Sequence, residues 1–188
     1  MQEKKLHLGC GTKILDGWIN YDYNPKDDRV KHWCAGDNSL DEEDNSVDLI
    51  MAHHLIEHIR HVDGEVIWFA FFEECWRVLK DNGRIDILSP HGDSLWAWAD
   101  PGHTRAIYPE TFIFFLAETY MDLLKEGNRL SNTPYFPKCN FSIAHLEIID
   151  LNVKRIDKIK DKFTRINVIL QKEPFPEGYL EACEHHKM

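Results

Sequence analysis

Two glycines flank a cysteine, Gly9-Cys10-Gly11, directly after the run Leu6-His7-Leu8, and the next apolar segment, Trp18-Ile19-Asn20-Tyr21-Asp22, ends on an acid. Glycine is needed where a backbone must turn tightly and let a ligand approach with no Cβ in the way. An acid at the tip of the neighbouring strand can accept both hydroxyls of a ribose. Together these residues describe a nucleoside pocket at the carboxyl edge of a parallel sheet. The third glycine of the dinucleotide pattern GxGxxG is replaced by Ile14, which favours a ligand without a pyrophosphate to cradle.

A second group of residues able to do chemistry is His53-His54-Leu55-Ile56-Glu57-His58. His54, Glu57 and His58 spell HxxEH, a zinc motif of metalloproteases in which two histidines hold the metal and the glutamate is the base. On a helix His54 and His58 would share a face. The alternative role for His53 or His54 is a polar group at the mouth of a cofactor site. There a neutral imidazole can take a proton from an acceptor hydroxyl or amine. The bland role for His58 is to tie a helix to a neighbouring loop. A third group, His91 to Pro109, is dense in Trp, His, Asp and Pro and contains Asp100-Pro101-Gly102-His103-Thr104-Arg105. Such a loop can recognise a substrate, with Trp96 and Trp98 as a stacking platform. The same tryptophans could simply pack the loop down, and His103 and Arg105 could clamp Asp100 or Glu110.

Positioning these groups requires strands. Leu6 to Leu8, Trp18 to Asp22, Ser46 to Ala52 and Arg84 to Ser89 read as short apolar strands separated by loops or helices, the pattern of a mostly parallel sheet. Between Gly64 and Leu79 the apolar residues recur at helical spacing, and Lys80 to Gly83 should stop that helix, with Gly83 as a left-handed turn residue. Glu110 to Lys125 reads as a further helix. Leu146 to Val153 and Thr164 to Leu170 read as a closing antiparallel hairpin. The expected architecture is α/β, a Rossmann-like doubly wound sheet with a C-terminal antiparallel hairpin. It spans residues 1–172, and 173–188 form a mobile or loosely docked tail.

Composition narrows the function classes. Lys plus Arg number 22 against 32 Asp plus Glu, a formal charge of −10, and such a surface repels phosphate backbones, so nucleic acid is a poor partner. The cationic stretch from Lys154 to Arg165 is interrupted by Asp157 and Asp161 and reads as a solvated face. The five cysteines are widely spaced without a CxxC pair, which suggests neither a disulfide framework nor a zinc knuckle. No apolar run approaches the roughly 20 residues of a membrane span, and a cytoplasmic location is expected.

The segments LHLGCGT, WINYDYNP, GDNSL, VDLIMAHHLIEHI and WRVLKDNGRIDILSP together resemble class I S-adenosylmethionine-dependent methyltransferases, most closely the small type 11-like members. The resemblance covers roughly residues 5 to 115, with its five motifs in family order, and the segment from Asp100 to Glu110 is similar to the family's DPxHxRxxTPE. It implies S-adenosyl-L-methionine as cofactor. Leu8, Gly9, Cys10 and Gly11 would pass under its methionine and ribose, Asp22 would bind the ribose hydroxyls, and Tyr23 would lie beside the adenine. Asp37 would face the adenine amino group with Asn38 and Leu40 nearby, and the stretch after Ala52, beginning with His53, would line the methionine end. His54, His103 and Arg105 are the candidate catalytic residues, acting on a small-molecule or glycan acceptor.

Two departures from the family stand out. His7 occupies a position where an acid is common, which removes a contact to the cofactor's amino group. Six residues, Thr12 to Gly17, separate Gly11 from Trp18, whereas a crossover holding a helix needs about a dozen. The first helix must therefore shrink to a turn and leave one side of the pocket open. These departures leave room for a non-catalytic cofactor-binding module, and HxxEH for a zinc hydrolase, beside the methyltransferase reading.

Overall fold

The computed structural model describes residues 3–36, 39–60, 67–128, 135–154 and 160–185. Seven strands form one sheet: β1 (Lys5–Leu8), β2 (Ile19–Asp22), β3 (Val30–His32), β4 (Val47–His53), β5 (Leu79–Pro90), β6 (Phe141–Lys154) and β7 (Lys160–Lys172), in the order β3-β2-β1-β4-β5-β7-β6. β1 to β5 pair in parallel, while β7 runs antiparallel to both β5 and β6. This is the expected Rossmann-like sheet with its antiparallel end. The hairpin strands extend beyond their expected ends, and β3 is an edge strand of three residues, too short to announce itself by alternation.

One face of the sheet carries the core. Leu6, Leu8, Tyr21, Ile50, Ile85, Ile87, Val168 and Leu170 are fully or almost fully buried there. Helix α1 (Ile67–Val78) covers them because Ile67, Trp68, Phe71, Phe72, Cys75 and Val78 fall on one side of it and are buried. Its opposite side carries Glu74 and Arg77, and the Arg77 guanidinium ties down the loop before β4 through Asp44 and the Glu42 carbonyl. The helix runs directly into β5. The left-handed residue at this junction is Asn82 (φ 61°), not the expected Gly83; Gly83 is needed because a Cβ there would stand 2.8 Å from the Lys80 carbonyl oxygen.

The connection from β5 to β6 contains a four-residue helix α2 (Trp96–Ala99), a 3-10 turn Pro109–Phe115 and helix α3 (Ala117–Lys125). The single helix expected from Glu110 onwards is thus broken at Leu116, whose backbone is non-helical. After β7 the chain docks rather than trailing. Helix α4 (Tyr179–His185) inserts Tyr179 fully buried, its hydroxyl donating to the Pro137 carbonyl at 2.9 Å and its ring stacked on Phe175.

The other sheet face is covered differently. Among the described residues no helix lies between β1 and β4. The loop after Gly11 folds over this face, and Asn20 holds it: its Oδ1 accepts from the Leu15 amide at 3.0 Å, and its Nδ2 donates to the Leu15 and Trp18 carbonyls at 3.1 Å each. Six residues cannot wind a crossover helix, and one buried amide fixes what they form instead. Further along the same face Leu49, Met51, Leu88 and Ile169 remain partly exposed.

Candidate functional site

The glycine turn leaves the end of β1 with both glycines in the left-handed region, Gly9 at φ 65° and Gly11 at φ 53°. A Cβ on Gly9 would meet Leu55 Cδ1 at 2.9 Å, whereas Gly11 has open space where a Cβ would stand. The turn is fastened to β2. The Cys10 amide donates to the Tyr21 carbonyl at 3.0 Å, and the Gly11 amide donates to Asp22 Oδ2 at 2.8 Å. Asp22 Oδ1 accepts the Asn24 amide at 2.9 Å. Each carboxylate oxygen therefore carries one backbone donor and retains lone-pair capacity for a hydroxyl. Leu8 and Cys10 are buried and can meet a ligand only through their backbone. Tyr23, beside Asp22, is 65% exposed. Asp37 and Asn38 lie outside the described residues.

His7 points to the loop-covered face and is buried, with Nδ1 3.3 Å from Asn20 Oδ1. Burial pushes its imidazole below the usual range, so it is neutral at pH 7. Because both Nδ2 protons of Asn20 are given to carbonyls, Oδ1 faces His7 as an acceptor. His7 Nδ1 therefore carries the proton and Nε2 is a lone pair. A neutral acceptor thus replaces the common acid.

Between β4 and α1 the chain does not make the helix that HxxEH would need. His54 is left-handed (φ 54°), and among the described residues before α1 only the 3-10 turn Ile56–His58 follows. His54 and His58 therefore do not share a helix face. His54 instead places Nδ1 3.2 Å from Oε1 of Glu57, a carboxylate whose side chain is 2% exposed. His53, at the end of β4, lies with Nε2 3.2 Å from Asp86 Oδ2, and Asn167 Nδ2 donates to Asp86 Oδ1 at 2.9 Å. Burial works to raise the Asp86 carboxyl, but these partners hold it below the usual carboxylate range. Neither Asp86 nor Asn167 was singled out by sequence reasoning. The available signal was a lone acid on the alternating strand Arg84-Ile85-Asp86-Ile87-Leu88.

The loop after β5 comes back onto this region. The Thr104 amide donates to the Glu57 carbonyl at 2.8 Å, and the Thr104 hydroxyl donates to the Ile59 carbonyl at 2.7 Å. This brace sets His103 against His58, with ring centroids 4.6 Å apart. Arg105 points elsewhere. Its guanidinium lies over the Trp68 ring at 4.2 Å and reaches the Ile59 carbonyl at 3.5 Å, which is a bracing position. Trp96 and Trp98 on this loop are 39% and 63% exposed. The expected clamp of His103 on Asp100 is loose at 3.9 Å. Away from this edge, a cleft lined by Lys4, Asp41, Glu42 and Arg77 has its charges paired, Lys4 with Glu42, Asp41 with Lys31 and Arg77 with Asp44.

The arrangement offers left-handed glycines, a ribose-type acid, an exposed aromatic and histidines at one sheet edge, and these fit a nucleoside bearing an amino-acid chain. Residues 6–87 match the family model described as a methyltransferase domain. The fold is similar to that of an S-adenosylmethionine-dependent methyltransferase from Methanosarcina mazei (15% identity, 92% of this chain and 94% of that one, TM-score 0.57). It is also similar to the YcgJ protein of Bacillus subtilis (12% identity, 92% and 93%, TM-score 0.56). A third likeness is the N-methyltransferase NodS from Bradyrhizobium japonicum, solved with S-adenosyl-L-homocysteine (12% identity, 92% and 79%, TM-score 0.52). No curated protein sequence matches the chain.

Proposed function

We propose that the chain, whose residues 6–87 match a methyltransferase-domain model and whose sheet is Rossmann-like, is a class I S-adenosylmethionine-dependent methyltransferase that methylates a hydroxyl or amine of a small-molecule or glycan-type acceptor, with His54 as the base. When bound, S-adenosylmethionine supplies a methyl group on a sulfonium, already a strong electrophile. The protein's work is then alignment and proton removal. Gly9 and Gly11 let the ligand approach the backbone, and Asp22 receives the ribose hydroxyls on its remaining lone pairs. Tyr23 offers its exposed face to the adenine. His7 Nε2 stands in for the missing acid as an acceptor for the ammonium group.

The observation that carries the base assignment is the pairing of half-exposed His54 with buried Glu57. A carboxylate only accepts, so Nδ1 of the neutral ring holds its proton toward Glu57 and Nε2 is left free to take one. His54 also sits next to Leu55, which packs against Gly9, so the base is adjacent to the cofactor turn. Trp96 and Trp98 are exposed on the loop that overhangs this edge and suit a sugar or ring acceptor. His103 and Arg105 act on this reading by shaping the loop.

Titration calorimetry with S-adenosylhomocysteine tests the pocket, with micromolar binding expected; no binding by folded protein overturns it. With an acceptor found by screening for methyl incorporation, His54→Ala should lower kcat about 10²-fold or more with cofactor affinity unchanged. An unchanged kcat removes His54 as the base.

A further inference from the structure

We propose that Glu57, His58 and His103 form a binding site for one divalent transition-metal ion, a site that no single sequence motif encodes. One ligand atom from each of the three lies within 4.8 Å of the others. Three donors bound at about 2.1 Å to a common ion stand roughly 3.4 Å apart in a tetrahedral set, so side-chain rotation has to draw the cluster in by up to about 1.4 Å.

The hydrogen bonding around the cluster is that of metal ligands. His58 Nδ1 lies 3.1 Å from the Gly102 carbonyl oxygen, and His103 Nδ1 lies 3.1 Å from the Ala97 carbonyl oxygen. A carbonyl only accepts, so both rings carry their proton on Nδ1 and, when neutral, present Nε2 as a lone pair. Backbone carbonyls fix the tautomer in this way in histidine–metal sites. Glu57 adds an independent observation. Its Oε1 is engaged by His54, while its Oε2 is buried with no hydrogen-bond partner. A buried carboxylate oxygen left so is unfavourable unless a cation faces it. Asp100 Oδ2, 3.9 Å from His103 Nε2, is an exposed oxygen donor at the rim.

Two imidazoles and one carboxylate, with coordination positions left over, suit Zn²⁺, Mn²⁺ or Fe²⁺. The set is not the HxxEH set, since His54 serves as the outer partner of Glu57 and the third ligand comes from a loop beyond β5. The ion's use rests on the transfer site proposed above, because the open positions are suited to acceptor oxygens beside His54. The ion itself is tested without that reading.

Purified full-length protein, loaded with Zn²⁺ or Mn²⁺ and dialysed, should retain one ion per chain by elemental analysis. Co²⁺ loading should give visible bands of nitrogen and oxygen ligation. His58→Ala, at an exposed position, and His103→Ala should each weaken retention at least tenfold, with melting curves confirming that they fold, while His32→Ala on the edge strand should retain the ion. Substoichiometric metal in the wild type, or retention unchanged in His58→Ala, overturns the site. S-adenosylhomocysteine calorimetry on the same samples separates the two readings: binding without metal sinks only the ion site, and absence of binding sinks the cofactor pocket beneath its proposed use.

Discussion

At the scale of single residues the site is governed by who holds which proton and which backbone. Asp22 accepts two amides and, on the proposed reading, ribose hydroxyls as well, so Asp22→Asn places an amide donor against one of those N–H groups. Charged hydrogen bonds contribute about 1.5–3 kcal/mol each, and S-adenosylhomocysteine affinity should fall about tenfold or more by calorimetry; an unchanged affinity would remove Asp22 from the pocket. The two glycines should separate in a melting experiment. Gly9→Ala meets Leu55 at 2.9 Å as well as a φ of 65°, whereas Gly11→Ala meets only its φ. The left-handed penalty alone is about 1–2 kcal/mol, so both variants should lose stability and Gly9→Ala should lose more. Asp86 carries a pH prediction. Its folded carboxyl titrates below the ordinary 3.8, so its contribution is fully present above that value and is lost as pH falls through the folded pKa. The urea midpoint of the wild type should therefore drop more steeply below about pH 4 than that of Asp86→Asn.

At the scale of elements, two connections were decided by one side chain each. The loop between β1 and β2 depends on the four bonds converging on Asn20, from His7, Leu15 and Trp18. Asn20→Leu removes them and strands the His7 proton, so stability should fall about 2 kcal/mol or more in urea, and cofactor affinity should fall with it because the glycine turn loses its support. The C-terminal segment depends on Tyr179. It docks because an aromatic pair with Phe175 covers Trp76, whose indole donates to the Glu173 carbonyl. Truncating a fully buried ring is destabilising by about 3–5 kcal/mol, so Tyr179→Ala should unfold well before the wild type in a thermal melt. A loosely held tail would show no difference.

The whole molecule is a one-sided design. Helix α1 packs on the face that carries Leu6, Ile50, Ile85 and Val168, while the opposite face is covered near β1 and β2 by a short loop held by Asn20 and by buried His7. Hydrogen exchange should follow that asymmetry. Amides of β4, β5 and β7, paired on both sides, should be the slowest, and those of β3, a three-residue edge, the fastest. The formal charge of −10 makes the surface repel polyanions, so fluorescence anisotropy with duplex DNA should show no binding even at low salt.

The sequence by itself determined the sheet, the glycine turn, Asp22 and the reduced first crossover. Each of these rests on local chemistry: apolar runs, glycine conformation, and a connection of six residues that cannot reach across a helix. It also marked His54, Glu57, His58 and His103 as residues able to do chemistry. Only the tertiary structure decided their grouping. HxxEH implies a shared helix face, but the left-handed backbone at His54 ends that pattern. Hydrogen bonds from Thr104 then bring His103 across to His58 from a loop far along the chain. The same holds for Asn167, which donates to Asp86, and for Tyr179, which donates to the Pro137 carbonyl. Contacts between segments remote in sequence depend on how strands register and loops fold back, and local periodicity carries no information about which distant residue completes a site.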